Sequence, residues 1–385
     1  MIYLDNNATT RLHPAALDAM RPFLSEEFGN PSSSHALGKR ARKAMEHARE
    51  QVAGLLKSRP SEIVFTSGGS EAISTALFAA IRALGPKTTI VISSVEHSAT
   101  VKAAEYWETI GHRLVRIPVD QGGQPDLDRL DQVLGESSPA LVSFLWANNE
   151  TGVISPIDAI ASLCQKHSAF LHLDAVQACG KVLVNVGELP VHFLSLSGHK
   201  FHGPKGTGAL FARATVPFAP LIHGGGQESG RRSGTENVAE IVGLGVAAEL
   251  AAPLAQGESM AALRNRLEVG LEGLHPSVQR NGAEPRLPNT SNLFFPGIEA
   301  QALLIVLDHL GVCASPGSAC GSAARNPSPV LAAMGFDPDR IRSSARFSLS
   351  SFTTSEEIDQ ALVILRRALE RIAEAMPAGV VQHNT

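Results

Sequence analysis

What this chain lacks narrows its work before any motif is read. It has four cysteines in 385 residues: Cys164, Cys179, Cys313 and Cys320. None forms a C-x-x-C pair, and no histidine cluster lies at zinc-ligand spacing, so no metal site is expected. Basic clusters are also missing. Acidic and basic residues are mixed along the chain and the net charge is -4, which speaks against a nucleic-acid groove. Long apolar runs are absent too. The most apolar stretch, residues 241–254, is interrupted by Glu249 and too short to span a bilayer, so no membrane role is expected. The opening MIYLDNNATT carries an acid and no long apolar run, unlike a signal peptide, and the expected location is cytoplasmic. Walker A spacing and the G-x-G-x-x-G of dinucleotide folds are missing as well.

What is present is a large soluble globular composition, 44% hydrophobic and 18% charged. A chain of this length is expected to divide. Short apolar runs alternate with helical patterns through the first two thirds: EIVFT (62–66), TIVIS (89–93), ALVSFLW (140–146), AFLHL (169–173), HFLSL (192–196) and GALF (208–211). This alternation predicts an α/β unit with a mostly parallel sheet. HFLSL and GALF are joined by a loop too short for a crossover helix, so they are expected to pair antiparallel. From about Pro253 the pattern changes to helices near 260–274 and 300–310, strand-like LFF and RFSLS, and a helix after Thr354. The expected division is a large domain over 15–252, with residues 1–14 and 253–385 forming a smaller α+β domain.

Polar residues gather just past the predicted strands, where open α/β sheets bind ligands. Glu96 and His97 follow TIVIS, Asn148 and Asn149 follow ALVSFLW, and Asp174 and Gln177 follow AFLHL. Ser197, His199 and Lys200 follow HFLSL, and Ser67-Gly68-Gly69-Ser70 follows EIVFT. The glycine segment before a helix suits one phosphate, although a plain glycine turn with Ser70 as N-cap has the same sequence. Asp174, at the end of an apolar strand, needs a cationic partner. That partner is either a protonated pyridine nitrogen or an arginine. Lys200 sits in a glycine-flanked loop poor in charge, where a desolvated amine forms Schiff bases; the alternative is an ordinary surface lysine. A phosphate cradle, a strand-end acid and a loop lysine together describe a site for pyridoxal 5'-phosphate (PLP).

The motifs then become recognisable. YLDNNATT (3–10), GNPSSSH (29–35), TSGGSEA (66–72), NNETG (148–152), DAVQ (174–177), SGHKFHGPKG (197–206), GGGQESGRRSGTEN (224–237), SPGSACGSA (315–323) and RFSLSSFTTSEEID (346–359) run through nearly the whole chain. Together they resemble the cysteine desulfurases of the NifS/IscS type, in the class V aminotransferase group. The resemblance implies a PLP-dependent transferase of fold type I, acting as a homodimer. It makes Lys200 the Schiff-base lysine and Asp174 the partner of the ring nitrogen. It has His97 stack on the ring and move protons, and Gln177 contact the ring hydroxyl. Gly69, Ser70, Ser197 and His199 would hold the phosphate, with Thr235 reaching in from the other subunit. Asn149 and Arg346 would bind the substrate carboxylate, for which a guanidinium fork is suited; without the family, Arg346 reads as a surface salt bridge.

Cys320 would be the sulfur acceptor in a reaction that turns L-cysteine into L-alanine. Its surroundings, a run of small residues broken by Pro316, Gly317 and Gly321, read as a loop rather than a packed element. Cys164 and Cys179 read as small buried apolar residues. Iron–sulfur scaffold proteins or other sulfur acceptors are the implied partners. Two departures from the family stand out: Ser70 in place of the usual threonine, and Ser350-Ser351 in place of the usual Gly-Arg. The rival readings are an aminotransferase or selenocysteine lyase of the same fold, and a silent scaffold in a sulfur-transfer assembly.

Overall fold

The six apolar runs become six neighbouring strands of one seven-stranded sheet. The computed structural model describes residues 1–254, 258–316 and 327–375. In chain order its strands are β1 (Ile2–Tyr3), β2 (Ile63–Thr66), β3 (Thr89–Ser93), β4 (Arg113–Ile117), β5 (Ala140–Leu145), β6 (Phe170–Asp174), β7 (Phe193–Ser197), β8 (Gly208–Ala212), β9 (Gln279–Arg280), β10 (Thr290–Phe294), β11 (Val312–Cys313) and β12 (Ser344–Ser348).

The large sheet runs β2-β8-β7-β6-β5-β3-β4. The pairs β3–β4, β3–β5, β5–β6 and β6–β7 are parallel. β8 is antiparallel to both β7 and β2, as the short HFLSL-to-GALF loop requires. β4 is the strand that the apolar pattern does not reveal. Its RLVRI sequence places two arginines on exposed positions, which an edge strand tolerates.

Side chains alternate across the sheet and build two apolar layers. Phe65, Val91, Val142 and Leu171 belong to one, and Val64, Ile90, Leu141 and Leu210 to the other. A separate apolar cluster joins Ile2 and Leu4 to Leu267, Phe295, Leu307, Phe347 and Leu365. In it β12 and β9 flank β10 antiparallel, and β1 pairs with β11 in parallel. The N-terminal segment is therefore stitched to residues more than three hundred positions away.

β4 and β5 lie on opposite sides of β3, so the winding of the sheet reverses there. The crevice beyond the carboxyl ends of β3 and β5 is where open α/β sheets place ligands. The helix after β3 begins at Ser98, because His97 caps it through its Nδ1, which accepts the Ala99 N–H at 3.2 Å. Of the small-residue loop expected around Cys320, residues 317–326, with Cys320, lie outside the described residues. Its start is anchored: Ser315 and Arg346 exchange both backbone hydrogen bonds, at 2.7 and 3.1 Å.

Candidate functional site

A cavity of about 290 Å³ opens beyond the strand ends. Its lining includes Gly69, Ser70, His97, Asn149, Asp174, Gln177, Ser197, His199, Lys200 and Arg346. The structure thus brings ten of the sequence-predicted residues to one place. Thr235 is not among them; it is exposed and lines a different cavity with Thr66, Gly206 and Arg232.

One end of the cavity is an anion cradle. The helix Gly69–Leu84 starts at Gly68, which has φ 149° and supplies no side-chain cap. Ser70 is therefore inside the first turn, not the N-cap, and the plain-turn reading fails. Uncapped N–H groups and the helix dipole favour an anion here. A Cβ on Gly69 would come within 2.8 Å of Val176 Cγ2 and 3.6 Å of Ser197 Cβ, so only glycine leaves this space open. Ser197 ends β7, and His199 follows it in a short 3-10 turn, Gly198–Lys200. Burial, then the charges of Lys200 and Lys205, hold the His199 imidazole down to about 4, so it is neutral near pH 7. Its Nδ1 lies 3.1 Å from Thr9 Oγ1.

Lys200 reaches toward the N-terminal segment. Its Nζ donates to the Asn7 carbonyl at 2.7 Å and the Ala8 carbonyl at 2.9 Å. A lysine half-buried in this way is not a solvated surface charge. Asp174 is buried at the end of β6, and its carboxylate accepts the Val176 N–H at 2.9 Å. Burial pushes its pKa up, opposed by the charge of His97, the Val176 N–H and the charge of Lys200. That balance leaves Asp174 ready for a cationic ligand group.

On the opposite wall, Arg346 is fully buried in β12. Its Nη1 donates to the Asn149 carbonyl at 3.0 Å and its Nη2 to Asp5 Oδ1 at 2.7 Å. The surface-salt-bridge reading is overturned: the arginine is desolvated and aimed along the cavity. Of the two asparagines, Asn148 is a structural residue. Its Oδ1 accepts the Glu150 and Thr151 N–H groups at 2.8 and 3.0 Å, and this turn presents Asn149 to the cavity.

Three residues around the site escaped sequence reasoning. Asn7 ties the site together: it accepts from Lys200 and Gln177 through its carbonyl, and its Nδ2 donates to Asn149 O at 3.1 Å and Thr290 Oγ1 at 2.9 Å. Lys181 is buried beside Gln177. Glu150 is buried and receives Ser328 Oγ at 2.5 Å; burial raises its pKa. The only signal for Lys181 was its place in the apolar run VQACGKVLV. Glu96, noted from its strand-end position, turns inward instead of lining the cavity. Its Oε1 accepts from Ser93 Oγ at 2.6 Å and from the Leu145 N–H at 3.0 Å, and burial pushes it up to about 8.

Among the described residues no group of three or more His, Cys, Asp or Glu is placed to hold a metal ion, and no helix is long and apolar enough to cross a membrane. Cys164 and Cys179 are buried and pushed by burial up to about 12, as expected of structural thiols.

Residues 2–361 match the class-V aminotransferase family. A cysteine desulfurase of Cereibacter sphaeroides is 46% identical over 382 residues, 98% of each chain. A solved NifS-like protein superposes with a TM-score of 0.90 at 38% identity, covering 96% of this chain and 99% of its own. SspA, solved in complex with cysteine, superposes with a TM-score of 0.82 at 32% identity, covering 92% of this chain and all (100%) of its own. The architecture is fold type I. The strand ends, the glycine cradle and these likenesses agree: the chain belongs to the class-V aminotransferase family and, within it, to the cysteine desulfurases.

Proposed function

We propose that the cavity holds PLP and that the protein converts L-cysteine to L-alanine, passing the sulfur to Cys320. The observation that carries this is the convergence of three unlike groups on one cavity: Lys200, the buried Asp174 and the uncapped start of the Gly69–Leu84 helix. They fit an aldehyde, a pyridine nitrogen and a phosphate respectively. The space kept open at Gly69 and the neutral His199 suit the phosphate end.

When bound, PLP offers an aldehyde to an amine and a ring that takes up electrons. The chain's own groups do the rest. Asp174 holds the proton on the ring nitrogen. Gly69, Ser70, Ser197 and His199 hold the phosphate, joined by Thr235 from a second copy in a homodimer. Arg346 and Asn149 orient the substrate through its carboxylate. Lys200 would hold the cofactor's aldehyde, and its amine would take the substrate's α proton. The His97 ring faces the cavity; because its Nδ1 accepts from Ala99, its Nε2 is the atom that exchanges protons. Cys320, as thiolate, forms an S–S bond with the substrate sulfur while the Cβ–S bond breaks and carbon keeps the electron pair. Carbon is then protonated, so L-cysteine and the enzyme thiol give L-alanine and an enzyme persulfide with no external oxidant. Residues 15–252 are read as a large domain and residues 1–14 with 253–385 as a small one, with residues of both lining the cavity. The persulfide then passes in the cytoplasm to an iron–sulfur scaffold or another acceptor protein.

The test is direct. Purified protein mixed with PLP is expected to show a visible absorbance band, and with L-cysteine to release alanine and, under reduction, sulfide. Lys200→Ala removes the band. Cys320→Ala keeps it and loses sulfide release. Wild-type protein that forms no band and yields no alanine overturns the reading.

A further inference from the structure

Gln177 faces the cavity, but it is held from behind. Lys181 does not line that cavity; it lines a second one of about 230 Å³ on the far side of Lys200, with Thr10 and Ser350. Its Nζ lies 2.5 Å from Gln177 Oε1 and 3.5 Å from Asn7 Oδ1. Gln177 Nε2 donates to the Asn7 carbonyl at 3.1 Å. Lys181 donates to the amide oxygen and the Asn7 carbonyl accepts from the amide nitrogen, so both neighbours impose the same amide orientation. The oxygen end is turned to Lys181. The nitrogen end, with a second N–H to spare, is left at the cavity.

We propose that Lys181 is a positioning residue: with the Asn7 carbonyl it locks the Gln177 amide nitrogen-inward, so that Gln177 meets a bound cofactor as a hydrogen-bond donor. This rests on the reading that the cavity binds PLP, whose ring hydroxyl oxygen is an acceptor when ionised. A glutamine free to turn over presents its oxygen about as readily, and that oxygen repels an anion.

Burying an amine here is unfavourable. Desolvation, then the charges of Lys200 and Arg346, push Lys181 down to about 7. A methionine at this position would avoid that desolvation. The Gln177 oxygen is the partner that this buried amine donates to. Lys181 therefore acts on the site through Gln177, not through the substrate.

The test is a double-mutant cycle read by PLP affinity, from quenching of intrinsic fluorescence, with a parallel thermal arm on cofactor-free protein. Gln177→Ala is expected to weaken PLP binding about tenfold, the loss of one good hydrogen bond. Lys181→Met is expected to weaken it by a similar factor, and the double variant by no more than Gln177→Ala alone. Effects that multiply in the double variant overturn the proposal. In the thermal arm, Gln177→Glu in the Lys181 background is expected to melt higher than Gln177→Leu, because a carboxylate oxygen still meets the Lys181 amine although the Asn7 contact is lost. A melting temperature no higher than that of Gln177→Leu overturns the proposal. This arm needs neither cofactor nor a folded Lys181→Met. A wild-type protein that binds no PLP refutes the cofactor reading and leaves the thermal arm to judge the Lys181–Gln177 pairing.

Discussion

Asp5 and Arg346 are 341 positions apart in the chain and form a part-buried ion pair, Oδ1 to Nη2, at 2.7 Å. The pair fixes the guanidinium that the proposed function assigns to the substrate carboxylate. Asp5 is one-fifth exposed at its side chain while Arg346 is covered. Asp5→Ala is expected to raise the KM for L-cysteine several-fold with a smaller change in kcat, the pattern of lost ground-state binding. It also removes a charge-assisted hydrogen bond of about 2 kcal/mol from a buried group. Steady-state kinetics and thermal melting check both parts. An unchanged KM sinks the positioning role of Asp5.

The cradle at Gly69 makes a steric prediction. Gly69→Ala drives a methyl against Val176 Cγ2, at 2.8 Å before relaxation. Crowding of this kind costs about 1–3 kcal/mol. PLP affinity is expected to fall about tenfold or more with the fold retained, as read by fluorescence titration and circular dichroism. Gly54→Ala, with nothing within 4 Å of the added carbon, is the control and should bind normally.

The buried thiols should be silent. Cys164 and Cys179 are pushed up to about 12 by burial, so at pH 8 both are protonated as well as covered. Brief alkylation of the native protein with iodoacetamide, followed by peptide mass spectrometry, is expected to leave both unmodified. Labelling becomes complete in denaturant. Rapid modification of Cys179 in the native state would contradict its packing.

Acid stability carries the mark of a buried histidine. His172, on β6 two residues before Asp174, is fully buried between Ser143 Oγ at 2.8 Å and Ser195 Oγ at 2.9 Å. Burial lowers its pKa from 6.5 to about 3. The unfolded chain therefore takes up a proton at a pH where the folded protein does not. The stability this contributes is present above about pH 6.5 and is lost progressively as the pH falls toward 3. Comparing His172→Gln with wild type over this window should show a shallower acid slope for the variant, by up to one proton, in urea melts at stepped pH. Equal slopes would show that His172 is not buried in its neutral form.

Much of this protein was written locally. Apolar runs of four to seven residues with helices between them fix β2, β3 and β5 to β8, because strands buried on both faces need continuous apolar sequence. The strand-end rule then points to His97, Asn149, Asp174, Lys200 and the glycine cradle, since each follows its strand directly. β4 escaped because an edge strand carries charge that disguises it. Asn7, Lys181 and Glu150 escaped for another reason. Asparagine, lysine and glutamate ordinarily mark surface, and of the three only Lys181, in an apolar run, carries a local sign otherwise.

Only the tertiary structure decided which of these groups meet. Asp5 reaches Arg346, and Asn7 reaches Lys200 and Gln177, through contacts across 170 to 341 residues. The order of residues determined which chemical groups stand at the ends of the strands. The packing of the N-terminal segment against β12 and the Lys200 turn decided their orientation and their charge, because burial and hydrogen-bond direction exist only once distant parts of the chain exclude water from one another.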